Sequence, residues 1–142
     1  MIDQITVFLE NAEGHLKALA RTISDAGVDM KALTIADTAD YGLVRIICDN
    51  PDHAYQVLSD ANYRVIKTKV SAIEVPNRPG GLADLLDVLD SLNLNIEYGY
   101  CFGLNGDTAI DVLKIHDVGE AVRATKVLSD AGFRVLTQDE IA

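Results

Sequence analysis

Two asparagines head the same six-residue phrase. Asn11-Ala12-Glu13-Gly14-His15-Leu16 recurs as Asn77-Arg78-Pro79-Gly80-Gly81-Leu82, each time between an apolar run and an amphipathic one. An Asn side chain both donates and accepts hydrogen bonds. Glycine at position 14 or 80 lets the backbone come close to whatever occupies the turn, and the N–H groups that open a helix favour an anion. The phrase therefore suits a loop that holds a small polar molecule. The same residues also suit a plain turn, since Asn before a helix commonly satisfies the first backbone donors.

Catalytic chemistry has no comparable signal. Cys48 and Cys101 sit inside apolar segments with no Cys-x-x-Cys spacing, as free thiols that act as small hydrophobes do. His15, His53 and His116 fall in no motif that supplies a base to either thiol. Asp84, Asp87 and Asp90 share the exposed side of one helix, a solvated face without the further ligands of a metal shell. No catalytic residue, metal or cofactor is expected. Gly103-Leu104-Asn105-Gly106 resembles the Gly-x-x-Gly of KH domains, but a hairpin accounts for it. Tyr98, Tyr100 and Phe102 alternate along one strand face as base-stacking aromatics do, yet lack the basic residues that would accompany them.

The elements that carry the two loops are themselves repeated. Val57-Leu58-Ser59-Asp60-Ala61-Asn62-Tyr63-Arg64-Val65 returns as Val127-Leu128-Ser129-Asp130-Ala131-Gly132-Phe133-Arg134-Val135. The offset is 66 positions for the loops (11 to 77) and 70 for this second echo (57 to 127), so the second copy carries a short insertion. A repeat of this length is domain-sized, unlike the roughly 20–50 residues of solenoid units. The expected halves are residues 1–70 and 71–142. Their junction, Val65 to Val75, lacks Gly and Pro and reads as continuous strand, which predicts a fixed pair of half-domains.

Within each half the order is strand, helix, strand, strand, helix, strand. Ile5 to Leu9 opens as a strand, Leu16, Leu19, Ala20 and Ile23 form one helical face, and Gly27 suits the helix stop. Leu82, Leu85, Leu86 and Leu89 repeat that face. Met30 to Ala36 and Leu43 to Cys48 flank a polar turn, and Ile96 to Phe102 and Thr108 to Ile115 flank a turn centred on Asn105-Gly106, where both residues would take positive φ. Asn50-Pro51 and Asp117 suit the starts of the second helices. A last strand is expected from Tyr63 to Lys69 and again from Phe133 to Gln138. This order predicts an α+β chain of two ferredoxin-like βαββαβ half-domains in tandem, each an antiparallel sheet with helices on one face. The second sheet face is expected to be covered as well, because Val44 to Cys48 and Ile110 to Ile115 are close to continuously apolar.

In register within this strand order, Glu10-Asn11-Ala12-Glu13-Gly14-His15-Leu16 and Pro76-Asn77-Arg78-Pro79-Gly80-Gly81-Leu82 lead to Gly27-Val28-Asp29-Met30 and Asn93-Leu94-Asn95-Ile96. The whole chain thereby resembles a stand-alone tandem ACT domain protein. The resemblance implies a non-catalytic regulatory protein that binds an amino acid at an interface between two ACT domains. It implies loop contacts from Asn11, Gly14, His15 and Leu16, and from Asn77, Pro79, Gly80, Gly81 and Leu82. It places a polar residue at the start of the second strand, Asp29 or Asn95, across the interface. The aromatics Tyr98, Tyr100 and Phe102 are expected to fill core or interface, with Tyr98 near the ligand. Glu13 replaces the usual Pro and Asp29 the usual Asn, so the second copy is the better loop: a Glu beside a carboxylate site repels it, although Asp29 can receive an ammonium group. A site at an interface needs opposed domains, so a homodimer of tandem chains or a closed intrachain pair is expected; the alternative is a regulatory subunit that docks a separate metabolic enzyme.

Composition excludes other classes. Twelve Lys and Arg against 22 Asp and Glu leave a net charge of −10, which opposes nucleic-acid backbones. No apolar run approaches the roughly 18 residues of a membrane span, and the opening Met1-Ile2-Asp3-Gln4 is unlike a signal peptide. A cytoplasmic protein without nucleic-acid or membrane partners is the expectation.

Overall fold

The computed structural model describes residues 1–10, 12–37 and 41–141. Asn11 and the centre of the first polar turn lie outside the described residues. The elements run β1 (Ile2–Glu10), α1 (His15–Asp25), β2 (Met30–Asp37), β3 (Tyr41–Cys48), α2 (Pro51–Asp60), β4 (Arg64–Pro76), α3 (Gly81–Asp90), β5 (Ile96–Asn105), β6 (Thr108–Ile115), α4 (Val118–Asp130), β7 (Arg134–Val135) and α5 (Gln138–Ile141). Two compact units result. One comprises Asp3–Thr68 with Ile141–Ala142, the other Met1–Ile2 with Lys69–Glu140, and the division falls inside β4.

In the first unit the strand order is β2-β3-β1-β4. β1 and β3 are antiparallel with Ile5 opposite Ile46 and Val7 opposite Val44, and β2 pairs antiparallel with β3. Alternation sends Ile5, Val7 and Leu9 of β1 and Val44, Ile46 and Cys48 of β3 to one face. There they meet Leu19 and Ile23 of α1 and Ala54 and Leu58 of α2 in a single buried cluster. Each such Leu or Ile withdraws enough apolar surface to contribute roughly 1.5–3 kcal/mol. On the opposite face Gln4, Thr6 and Ile47 are buried too, and Gln4 Nε2 donates to Thr6 Oγ1 at 3.0 Å, so the polar pair satisfies itself.

The second unit repeats the plan. β4 pairs antiparallel with β6 on one side and with β7 on the other, and β6 pairs with β5. Ile73 and Val75 of β4, Leu85 and Leu89 of α3, Leu113 and Ile115 of β6 and Leu128 of α4 form its core, against which Met1 is packed. The tandem ferredoxin-like architecture is thus realised twice with one strand order.

Two details differ from the sequence expectation. The β5–β6 turn is Gly106-Asp107, one residue later than expected, because Asn105 still pairs with Thr108. Gly106 alone takes positive φ, 63°, which is the II′ pattern with Gly first rather than a turn with both residues left-handed. The final strand is also short. β7 covers only Arg134 and Val135, and Gln138, expected at a strand end, opens α5 instead, where Thr137 Oγ1 donates to Glu140.

The helix starts are of two kinds. In α2 the Asn50 side chain accepts from the His53 N–H at 3.2 Å, and in α4 the Asp117 side chain accepts from the Glu120 N–H at 3.0 Å. α1 and α3 have no side-chain cap; each begins on a left-handed glycine, Gly14 with φ 83° and Gly80 with φ 90°.

Candidate functional site

The second loop is built by backbone hydrogen bonds. Arg78 N–H donates to Pro76 O (2.9 Å), Gly81 N–H to Arg78 O (3.1 Å) and Asp84 N–H to Gly80 O (2.9 Å). Asn77 N–H donates to Asp107 O at 2.6 Å, which ties the loop to the β5–β6 turn. Asn77 is therefore not the helix cap; that position belongs to Gly80, which offers no side chain. The first amides of any helix lack intrahelical acceptors, and here no side chain supplies one. Gly81 must be glycine for a separate reason: a Cβ there would lie 2.2 Å from Pro76 O. Arg78 crosses the mouth of the loop, donating to Pro79 O (3.1 Å) and to Asp84 Oδ2 (2.7 Å).

The first loop has the same backbone scheme, with Ala12 N–H to Glu10 O (2.9 Å), His15 N–H to Ala12 O (3.3 Å) and Ala18 N–H to Gly14 O (3.0 Å). His15 stands where the second copy has Gly81. Its Nδ1 lies 3.1 Å from Glu10 O; a carbonyl only accepts, so Nδ1 carries the hydrogen. The ring is thus committed to its own strand end.

The two strand-opening residues differ in how occupied they are. Asp29 accepts from Lys31 Nζ at 2.7 Å and donates its N–H to Asp49 Oδ1 at 3.0 Å. The hydrogen bond and charge of Asp29 hold the Lys31 ammonium above its usual pKa, so a cation already sits on this carboxylate. Asn95 is exposed, and its backbone O accepts from His116 N–H at 2.9 Å. Beside it, Glu97 Oε1 and His116 Nδ1 are 2.7 Å apart. Within each unit the loop and the strand-opening residue lie at opposite ends of a helix of 11 or 10 residues, about 15 Å apart at 1.5 Å per residue. They do not converge within a unit. Tyr98 pairs with Lys114 and faces away from the side shared by its neighbour Gly99 and Cys101.

Grooves adjoin both loops. Leu82 and Leu86, assigned by periodicity to the same face as Leu85 and Leu89, are 50% and 38% exposed. They form one wall of a groove of about 420 Å³ whose floor is Ile96, Gly99, Cys101, Asp111 and Leu113. In the first unit the corresponding space is about 130 Å³, with Leu16, Ile35 and Val44 among its walls. Strand register explains the difference. Leu33 and Ile35 oppose Ile46 and Val44, whereas Gly99 and Cys101 oppose Leu113 and Asp111. Two large side chains in the first copy are a glycine and a cysteine in the second. Sequence reasoning passed over Gly99 and Asp111 and read Cys101 only as a packed thiol; a glycine inside a strand was the available signal.

Burial, and then the hydrogen bond to Asp111, push the Cys101 thiol above its usual pKa, and burial takes Cys48 up to about 11. Neither thiol is an activated nucleophile. Among the described residues no group of three His, Cys, Asp or Glu could hold a metal ion, and no helix is long and apolar enough to cross a membrane.

A sheet of order 2-3-1-4 with two helices on one face, made twice and opening each time on an uncapped glycine loop, defines a pair of ferredoxin-like units. The chain belongs to the ACT domain pair family, which matches residues 1–142. Protein BT0572 from Bacteroides thetaiotaomicron is similar in structure, with a TM-score of 0.90 and 32% identity over 99% of this chain and 94% of that one. The ligand-free regulatory subunit of aspartate kinase from Thermus thermophilus has a TM-score of 0.66 at 14% identity, covering 92% of each chain. The corresponding subunit from Thermus flavus has a TM-score of 0.61 at 14% identity, covering 91% of each. At 14% identity the likeness is one of fold. No curated protein matches the sequence.

Proposed function

We propose that this chain is a non-catalytic regulatory protein of the cytoplasm that binds a free amino acid at an interface between two ACT domains and works as a homodimer. The observation that supports this reading is the contrast between helix starts. α2 and α4 are closed by Asn50 and Asp117, while the family's ligand loop opens α3 with a left-handed Gly80 and no cap. Open amides at a helix N-terminus suit a carboxylate. Asn77, Pro79, Gly80, Gly81 and Leu82 supply the loop, and Asn95 and Tyr98 reach a loop only from the facing ACT domain across the interface. The first copy is the weaker site: Glu13 repels a carboxylate, Lys31 occupies Asp29, and His15 is bonded to Glu10 O.

A dye-based melting screen against the standard amino acids tests the proposal, since the chain has no Trp. A ligand at about a hundred times its Kd adds roughly 2.7 kcal/mol, or several degrees at about 2–4 °C per kcal/mol. Asn77→Ala should weaken the response more than Asn11→Ala, and a flat panel with folded protein removes the sensor reading. A second reading, a regulatory subunit that docks a separate metabolic enzyme, is favoured by Leu33 and Ile35, which are 42% and 50% exposed on β2 at the end of its sheet order. Copurification of one stoichiometric enzyme would support it.

A further inference from the structure

The groove beside α3 differs from its counterpart in the first unit in chemistry as well as in size. Its walls are largely apolar: Leu82 and Leu86 above, Ile96 and Leu113 below, with Tyr100 also in the lining. One carboxylate, Asp111, stands on the floor where the first copy has Val44. Asp111 is partly buried and receives the Cys101 thiol, which is a weak donor and leaves most of the carboxylate's accepting capacity unused. Among the described residues no Lys or Arg pairs with it, although Asp29, Asp52, Asp84 and Asp130 all have such partners. The volume, about 420 Å³, falls within the roughly 300–1,000 Å³ of small-ligand sites.

Apolar walls around a single carboxylate select a ligand that is itself apolar and carries one cation. An ammonium replaces the water lost by Asp111, and its alkyl chain covers the leucines. A ligand with an acidic side chain meets the Asp111 charge with no cation to offset it, in a chain whose net charge of −10 already disfavours anions. Leu82 belongs both to this wall and to the loop at the α3 N-terminus, so the groove continues the candidate site.

We infer that the groove between α3 and β5 recognises an alkylammonium group of the ligand, with the ammonium on Asp111 and the aliphatic chain along Leu82, Leu86, Ile96 and Leu113, and that the first unit has no such pocket. The inference rests on the amino-acid-binding reading and deepens it by naming the ligand class. Two sources share the chemistry: the α-ammonium of an aliphatic amino acid, or the terminal ammonium of a lysine-like one.

Isothermal titration of the full chain with L-leucine, L-lysine, L-norleucine and L-glutamate tests it, using wild type, Asp111→Asn and Cys101→Ile. The last substitution installs the residue that the first copy carries at Ile35, and circular dichroism with a melting curve establishes that each variant is folded. The expected result is binding of leucine or lysine and none of glutamate. Asp111→Asn should weaken it about tenfold or more, in line with a charge-assisted hydrogen bond, and Cys101→Ile should weaken it at least as much. Lysine binding that is lost in norleucine assigns the terminal ammonium to Asp111, while equal binding of lysine, leucine and norleucine assigns the α-ammonium. Unchanged affinity in both folded variants, or glutamate binding as tightly as the others, overturns the groove while leaving the amino-acid-binding proposal standing. Absence of wild-type binding to all four overturns the groove, and the amino-acid-binding reading falls with it when the melting screen against the standard amino acids is flat as well.

Discussion

Replacing Gly81 by Ala isolates one steric contact. The added Cβ would sit 2.2 Å from Pro76 O, while carbon and oxygen in ordinary contact stand at least about 1 Å farther apart. Either α3 or the carbonyl must move by about that distance. Pro76 is paired with Thr108 at the end of the β4–β6 ladder, its O already accepts from Arg78 N–H, and the adjacent Asn77 N–H is held by Asp107 O at 2.6 Å. Gly81 does not have the positive φ of Gly80, so the penalty is steric and not conformational. Overpacking of a tight contact costs about 1–3 kcal/mol, and replacing helical Gly by Ala returns up to about 1 kcal/mol. A clash with a fixed backbone carbonyl belongs at the upper end of that cost, so the net loss is about 2 kcal/mol, or a Tm lower by about 4–8 °C. Scanning calorimetry of the two proteins at equal concentration reads it directly. A Tm equal to or above that of wild type would show that helix propensity outweighs the contact, and would refute the close approach of α3 to Pro76.

Other outcomes follow from single contacts. Asn50→Ala removes the acceptor of the His53 N–H and should cost about 1 kcal/mol, visible in urea unfolding as a lower midpoint at constant slope. At pH 8, iodoacetamide should alkylate exposed Cys101 while buried Cys48, whose thiol is pushed up to about 11, reacts only on unfolding. Asp111→Asn should speed the Cys101 reaction, because the carboxylate that disfavours the thiolate is gone; mass spectrometry after timed quenching measures both. The hydrogen bond from His116 holds the Glu97 carboxyl below its ordinary 4.5. Its stabilisation is therefore present above that pH and lost as pH falls through the lowered value, so the Tm difference between wild type and His116→Ala should shrink toward zero in strong acid.

The repeated phrases made the fold readable, because hydrophobic period and glycine position are local properties. Gly14, Gly27 and Gly80 all have positive φ at helix ends, and the unbroken run through Val65 to Val75 is one strand. The misplaced hairpin centre depended on register between strands, which no single segment encodes. α5 replaced the end of the last strand through the contact between Thr137 and Glu140, a choice that periodicity over four residues cannot register. Leu82 and Leu86 share a helical face with Leu85 and Leu89, yet only the latter two lie in the core; the first pair faces a groove lined by Gly99 and Cys101, whose side chains are too small to fill it. The groove was illegible for a related reason. It exists because Gly99 and Cys101 lie under α3 where Leu33 and Ile35 lie near α1, and the absence of a side chain has meaning only once its neighbours are placed.

The two units also exchange their ends. Met1–Ile2 belong with Lys69–Glu140, and Ile141–Ala142 with Asp3–Thr68. A gene cut between codons 68 and 69 would therefore yield two polypeptides that each lack part of their own fold: the second without Met1 against its core, the first without the buried Ile141. The repeat in sequence is therefore not a pair of separable modules: each half carries a terminal piece of the other, and a single cut at the midpoint would cost both.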